Sequence, residues 1–283
     1  MSFASDYLAQ LDAFAAAGPL PRVRALHLPP ALSASPETNK GEFCALELED
    51  GSLGLSYVLL DDTLARLRAA GDNLGLVGAN AMALARRYAS ADSFGKALGF
   101  ATANALTRCL YDRAGFVPEA SSDSIGQMEP RAGEQIGMIG LFRPLLGRVL
   151  ASGARLTVVE LKAELAGEAE GYRVTLDAAD LATCEKVVST STLLLNDTLD
   201  RMLDQCRSAR WFAMVGPGAG CLPDALFARG VTLVGGNWIR DGAGFVDALT
   251  RGESTSPFSV KSALTRDNYP SFTTLLARAG KKH

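Results

Sequence analysis

Histidine is nearly missing from this chain of 283 residues: His27 and His283 are the two present, so a metal site built on paired internal imidazoles cannot form within one chain. Clustered cations are missing as well. No run of Lys or Arg exceeds a pair, and 28 basic residues face 31 acidic ones for a net charge of -3. Nucleic acid and anionic membranes both require a concentrated basic surface to displace counterions, so neither is expected as a partner. The five cysteines, Cys44, Cys109, Cys184, Cys206 and Cys221, never stand in C-x-x-C spacing. That excludes a disulfide framework and a thiolate knuckle, and a reducing cytoplasm suits them. The opening MSFASDYLAQLDAFAAAG reads as an amphipathic helix without the basic start and unbroken apolar core of an export signal, and no apolar stretch is long enough to span a bilayer. What is present, 48% hydrophobic residues with 7% aromatics, is the composition of a globular chain long enough for two domains.

The pattern of apolar residues changes along the chain. Arg22 to Leu28, Phe43 to Glu49 and Leu55 to Leu60 read as strands, the last two joined across Asp50-Gly51-Ser52, which predicts a three-stranded antiparallel meander. From Asp62 the period is helical, through TLARLRAAG, LGLVGANAMALARRYA and Ser93 to Asp112, giving a small α+β unit. Pro118 to Gln135 has the polar composition of a surface linker with room for a docked turn, and the domain boundary is placed within it, at 1–125 and 126–283. Beyond it, apolar runs at Ile136 to Leu141, Leu156 to Leu161, Lys186 to Ser191, Trp211 to Val215 and Val231 to Val234 alternate with helices expected from Pro144, Leu194, Pro223 and Gly242. Strands apolar at nearly every position, separated by helices, predict a Rossmann-like parallel sheet covered on both faces.

In such a sheet, ligands lie beyond the carboxyl ends of the strands. The first of these ends, Gly137-Met-Ile-Gly140-Leu-Phe-Arg143-Pro144, departs from G-x-G-x-x-G because Leu141, Phe142 and Arg143 occupy the turn, which argues against NAD. Arg143 reads either as an anion clamp or as a solvated helix start. Glu160 follows the second strand, twenty residues after Gly140, where an acid could accept from a ribose diol or simply face solvent. Thr190 and Thr192, with Asn196 and Asp197 at the next helix entry, could hold a carboxylate, a phosphate or a metal-bound oxygen, or could merely cap the helix. Gly216-Pro217-Gly218-Ala219-Gly220-Cys221 would let backbone approach a ligand, and Asn237 stands in Gly235-Gly236-Asn237-Trp238, read as the end of the fifth strand. Cys221 is the best nucleophile on offer, but no internal base except His27 exists to activate it, so the reading is a packed thiol. In the first domain, Asn104 lies on a helix of small residues, either as a buried fixture or as a donor into an interdomain cleft, and Lys40 could add charge there or lie in solvent.

Taken together, the runs IGMIGLFRPLL, TVVEL, VVSTSTLLLNDTLDRML, FAMVGPGAGCLPDALFARGV and GGNWIRDGAGFVDAL resemble the "putative heavy-metal chelation" domain family, formerly a domain of unknown function, over Ile136 to Leu249. LEDGSLGLSY and KALGFATANAL are similar to the small domain that precedes it in that family, which has an enolase N-terminal-like fold. The resemblance implies an α/β chain, enolase N-terminal-like then Rossmann-like, with a site between the two. It carries over Asn104, Gly140, Glu160, Thr190, Thr192, Asn196, Gly216 and Pro217 as pocket residues, while Gly218-Ala219-Gly220-Cys221 departs from the family's hydroxyl or proline after Gly-Pro. The expected function is binding, with or without turnover, of a small anionic metabolite or metal chelate in the cleft. Any metal would arrive already chelated, with no protein metal ligands. A non-catalytic carrier or sensor of a chelate, and a nucleotide enzyme using Glu160, are the rival readings. Assembly with copies of itself is left open.

Overall fold

The computed structural model describes residues 2–31, 42–121 and 127–282. Lys40, His283 and the expected boundary between 125 and 126 lie outside them. The meander is present as β1 (Val23–His27), β2 (Phe43–Leu48) and β3 (Leu53–Tyr57), antiparallel in the order β1-β2-β3 with Ala45 opposite Leu55. Gly51, at φ +84°, makes the turn between β2 and β3, where Asp50 Oδ1 accepts from Ser52 N at 3.0 Å. The third strand begins two residues earlier than the apolar run implies. Gly54 belongs to it because the strand presses on a helix so closely that a Cβ there would overlap Ala101 O and Ala105 N and stand 2.7 Å from the Asn104 carbonyl carbon.

That helix is α4 (Ser93–Ala114), which follows α1 (Phe3–Ala16), α2 (Thr63–Ala70) and α3 (Ala81–Ala85). The stretch LGLVGANAMALARRYA does not form one helix. Gly75 and Gly78 take positive φ, Asn80 then caps α3 by accepting from Ala83 N at 2.8 Å, and a 3-10 turn covers Arg86–Ala89. Asp92 caps α4 and a left-handed Gly115 ends it, so both termini follow local chemistry.

The larger sheet has eight strands: β4 (Gln135–Ile139), β5 (Arg155–Val159), β6 (Gly167–Ala169), β7 (Tyr172–Thr175), β8 (Lys186–Thr190), β9 (Trp211–Val215), β10 (Leu233–Ile239) and β11 (Ser259–Thr265). Their spatial order is β11-β10-β9-β8-β4-β5-β7-β6, the inner six pairing in parallel and β11 and β6 adding antiparallel edges. The chain's direction of winding reverses between β4 and β8, which is the switch point of a doubly wound sheet. Its helices are α5 (Arg143–Ala151), α6 (Leu199–Gln205), α7 (Asp224–Phe227), α8 (Gly242–Arg251) and α9 (Phe272–Ala279). Two sequence expectations change. The helix expected from Leu194 begins at Leu199, after a 3-10 turn over Ser191–Leu194, and the fifth strand runs through Gly235-Gly236-Asn237-Trp238 to Ile239. The antiparallel partner β11 continues the ladder there, pairing Asn237 with Lys261, so Asn237 sits inside a strand and not in a loop at its end.

One apolar core runs from Phe3, Tyr7 and Leu11 on α1 through Leu98, Phe100 and Leu106 on α4 to Val187, Met214, Leu226 and Leu275. Alanine and glycine along α4 let β3 and neighbouring turns approach it from several sides, and the helix is buried from Gly95 almost to its end. Part of the polar stretch after α4 docks, since Ser121 N donates to Lys261 O at 2.9 Å on β11.

Candidate functional site

The carboxyl edge of the parallel sheet gathers several of the residues singled out by sequence. Gly140 ends β4 at φ +83°, where a Cβ would come within 3.1 Å of Thr190 Cγ2, and its N–H donates to Val159 O at 2.9 Å. Glu160 leaves β5 and closes the adjoining turn: its Oε1 accepts from Leu141 N at 2.5 Å and its Oε2 from Leu161 N at 3.1 Å. Thr190 and Thr192 share a hydroxyl contact of 3.0 Å, with Thr192 N donating to Thr190 Oγ1. Gly216, at φ +146°, follows β9 where a Cβ would meet Ser191 Oγ at 2.5 Å. Asn196 is engaged locally, its Oδ1 accepting from Thr198 N and Oγ1 at 3.2 and 2.6 Å ahead of α6. Asp197 beside it, at φ +58°, pairs with the buried Lys96 of α4. Arg143 is exposed at the first position of α5.

The hydrogen bonds of Glu160 have a measurable consequence. Glu160→Gln keeps the size and replaces one charge-assisted acceptor with a donor that faces a backbone N–H, which should cost roughly 1–2 kcal/mol of stability. The denaturant midpoint should fall and amide exchange at Leu141 should accelerate; an unaltered Leu141 amide would mean that the carboxylate does not hold the turn.

Two chambers lie between the meander and this sheet, and Leu55, Pro217 and Asn237 line both. The narrow one, about 40 Å³, is bounded further by Asn104, Arg108, Tyr111, Cys221 and Trp238. The wide one, about 440 Å³, is bounded by Glu42, Phe43, Phe245, Leu249 and the segment Gly252 to Ser256. Asn104 is the fixture at their junction: 2% exposed, it donates to Leu55 O at 2.9 Å and to Gly218 O at 3.1 Å and accepts from Tyr7 Oη at 3.1 Å. Gly236 has to be glycine here, because a Cβ would stand 2.6 Å from Ala219 O.

The row at the sheet edge and the chambers meet through Phe43 and Tyr57, whose rings lie edge to face at 5.6 Å. Burial, then the Glu42 carboxylate, then the Glu160 carboxylate raise the Tyr57 pKa, so its hydroxyl feels an acid of the meander and an acid of the sheet edge. Of the sequence-derived residues, Asn104, Pro217 and Asn237 line the chambers; Gly140, Glu160, Thr190, Thr192 and Gly216 form the adjoining row; Arg143 and Asn196 line neither chamber. Glu42, Tyr57 and Tyr111 escaped the sequence reading, since nothing local distinguishes them. The ionisable lining of the wide chamber is Glu42 and Glu253, with no basic side chain among the described residues, while Arg108 lines the narrow one.

Cys221 is 1% exposed and burial pushes its thiol up to about 12, while His27 is engaged with Glu47 at 2.9 Å. The packed reading of this cysteine fits those surroundings, and all five cysteines are buried. Native protein at pH 8 should therefore resist a thiol-specific disulfide reagent for hours and release five equivalents once unfolded. Fast reaction of one thiol in the native state, lost in Cys221→Ser, would reverse the assignment. Among the described residues no group of three or more His, Cys, Asp or Glu is placed to hold a metal ion, and no helix is long and apolar enough to cross a membrane.

Residues 123–266 match the profile of a family, DUF364, described as "Putative heavy-metal chelation", and residues 41–107 match a second, DUF4213, with the same description. Among solved structures, a DUF364 protein of unknown function from Desulfitobacterium hafniense is 19% identical over 92% of this chain and 99% of its own, with a TM-score of 0.64. A DUF364 protein of unknown function from Pyrococcus horikoshii is 17% identical over 93% and 100%, with a TM-score of 0.66. These likenesses show the fold across both parts of the chain. No curated protein matches.

Proposed function

Because the chain belongs to the DUF364 family, described as "Putative heavy-metal chelation", we propose that it binds a metal in chelated form, as a small-molecule complex seated between the meander and the carboxyl edge of the large sheet. The observation that carries this reading is the pair of neighbouring chambers that share Leu55, Pro217 and Asn237 in their walls, the wider of them, about 440 Å³, being suited to an organic ligand and much larger than a bare ion needs. Asn237 supports it further, since its side-chain amide has no hydrogen-bond partner among the described residues and can serve either chamber as donor or acceptor. The metal is cargo in this reading. Soft divalent ions call for several converging nitrogen or sulfur ligands, and the chambers offer two carboxylates, amides and hydroxyls, which suit the periphery of a chelate. Small molecules are its partners, and the buried unpaired thiols suit a cytoplasmic setting.

A carrier or sensor needs only these binding features, whereas a ribose-binding enzyme would need Glu160 free. Its two oxygens are already held by Leu141 and Leu161 N–H groups, which favours the binder. Native mass spectrometry of the purified chain with elemental analysis tests the proposal. The expected result is a metal that leaves together with an organic component, and Zn²⁺ or Ni²⁺ offered alone should bind no more tightly than ~10 μM by calorimetry. Tight stoichiometric uptake of the bare ion would replace the proposal with direct capture by the protein.

A further inference from the structure

The hydroxyl of Tyr111 is unusual in this molecule. The residue is 4% exposed, its side chain lines the narrow chamber, and its oxygen has no hydrogen-bond partner among the described residues. The neighbouring Tyr269 hydroxyl donates to Asp224 at 2.7 Å and does not meet the Tyr111 oxygen with hydrogen-bond geometry. A buried hydroxyl without a partner is costly to keep unless something that visits the chamber accepts from it. The chamber, about 40 Å³, has room for a group of roughly one water molecule's size.

The wide chamber adds charge. Glu42 lines it with no ion pair or side-chain hydrogen bond among the described residues, whereas Glu253 is offset by Arg251 at 3.4 Å. The one basic side chain of the lining among the described residues, Arg108 in the narrow chamber, is paired with Asp112 at 2.8 Å and lies over the Trp238 ring at 3.8 Å, while Arg68, which donates to Pro29 O at 2.6 Å, is not part of the lining. The C-terminal end of α8, at Leu249 and Gly252, contributes the negative end of a helix dipole, and the half-buried Phe43 lines the same chamber.

We infer that the two chambers form one site for an organic cation: a positively charged body in the wide chamber facing Glu42, and a single hydroxyl-sized polar group in the narrow chamber accepting from Tyr111. The inference rests on the reading of this cleft as a small-molecule site and adds the class of ligand, an amine-bearing or quaternary ammonium compound or a chelate of net positive charge.

Trp238 lines the narrow chamber and Trp211 is the one other tryptophan, so the full chain carrying Trp211→Phe reports on the site by fluorescence. Titration with choline, tetramethylammonium and citrate is expected to give saturation with the two cations and binding at least about tenfold weaker with citrate. Glu42→Gln should weaken both cations about tenfold. Tyr111→Phe, which removes an unpartnered hydroxyl and should fold normally, should weaken choline by about threefold or more and leave tetramethylammonium, which has no hydroxyl, unchanged. Citrate binding as tightly as choline, no binding of any probe, or cation binding indifferent to Glu42→Gln would each overturn the inference. The proposed function fails separately: a co-purified metal chelate that survives Glu42→Gln keeps that reading and removes this one, and cation binding sensitive to Glu42 in a protein without any chelate does the reverse.

Discussion

Gly54→Ala should lower the stability of the chain by about 3 kcal/mol or more, one of the largest effects expected of any single added methyl group in the molecule. The methyl would overlap Ala101 O and Ala105 N, and both are backbone atoms of a buried helix, so no side-chain rotation can relieve the clash. Either β3 moves away from α4, opening the interface that holds Asn104 to Leu55 O, or α4 bends. A fall of roughly 5–10 °C in Tm is the corresponding observable. Gly18→Ala is the control, because its Cβ would meet nothing within 4 Å and should change little. A Gly54→Ala protein as stable as the parent would mean that the sheet does not sit on the helix as closely as described.

Asn104→Ala should cost about 3 kcal/mol by a different route, deleting a group without creating a clash. Two buried carbonyls, Leu55 O on β3 and Gly218 O in the glycine-rich loop, would lose their shared donor, while Tyr7 would keep its 2.6 Å contact with Thr107. The loop is the informative half. Ala219 N donates to Gly216 O at 3.0 Å, so its exchange with solvent deuterium should quicken once Gly218 is released, and the urea midpoint should drop with an unchanged slope. Loss of stability with an undisturbed Ala219 amide would place the effect in the meander alone.

Much of this arrangement was legible in sequence because it depends on runs of like residues. Trp211 to Val215 is a strand to the residue, and the runs opening at Ile136, Leu156 and Lys186 fall on β4, β5 and β8, since each carries a core of apolar residues buried in the sheet. The edges were not legible. β6 is exposed at every position and β7 carries Arg173 in a short alternating stretch, so neither shows the signature of a core strand. β11 mixes polar and apolar residues without a regular period, and its presence also lengthens β10 past the glycine pair that read as a terminus. At the site, Asn104, Pro217 and Asn237 could be picked from local motifs. Glu42, Tyr57 and Tyr111 could not, because their meaning comes from what surrounds them in the fold: Tyr57 feels two acids from different sheets, and the ring of Tyr111 stacks on a tryptophan from β10.

A helix enclosed on every side has a thermodynamic consequence for whatever occupies the cleft. Among the described residues the apolar interior around α4 runs from α1 to α9, and Asp6 near the start of the chain pairs with Arg229 after α7 at 2.7 Å, so the two halves share a core and should unfold together. A single cooperative transition follows. Occupancy of the chambers by a ligand at a hundred times its Kd would then add about 2.7 kcal/mol to the unfolding free energy of the entire chain, and calorimetry would register it as one displaced peak with no second, ligand-blind one.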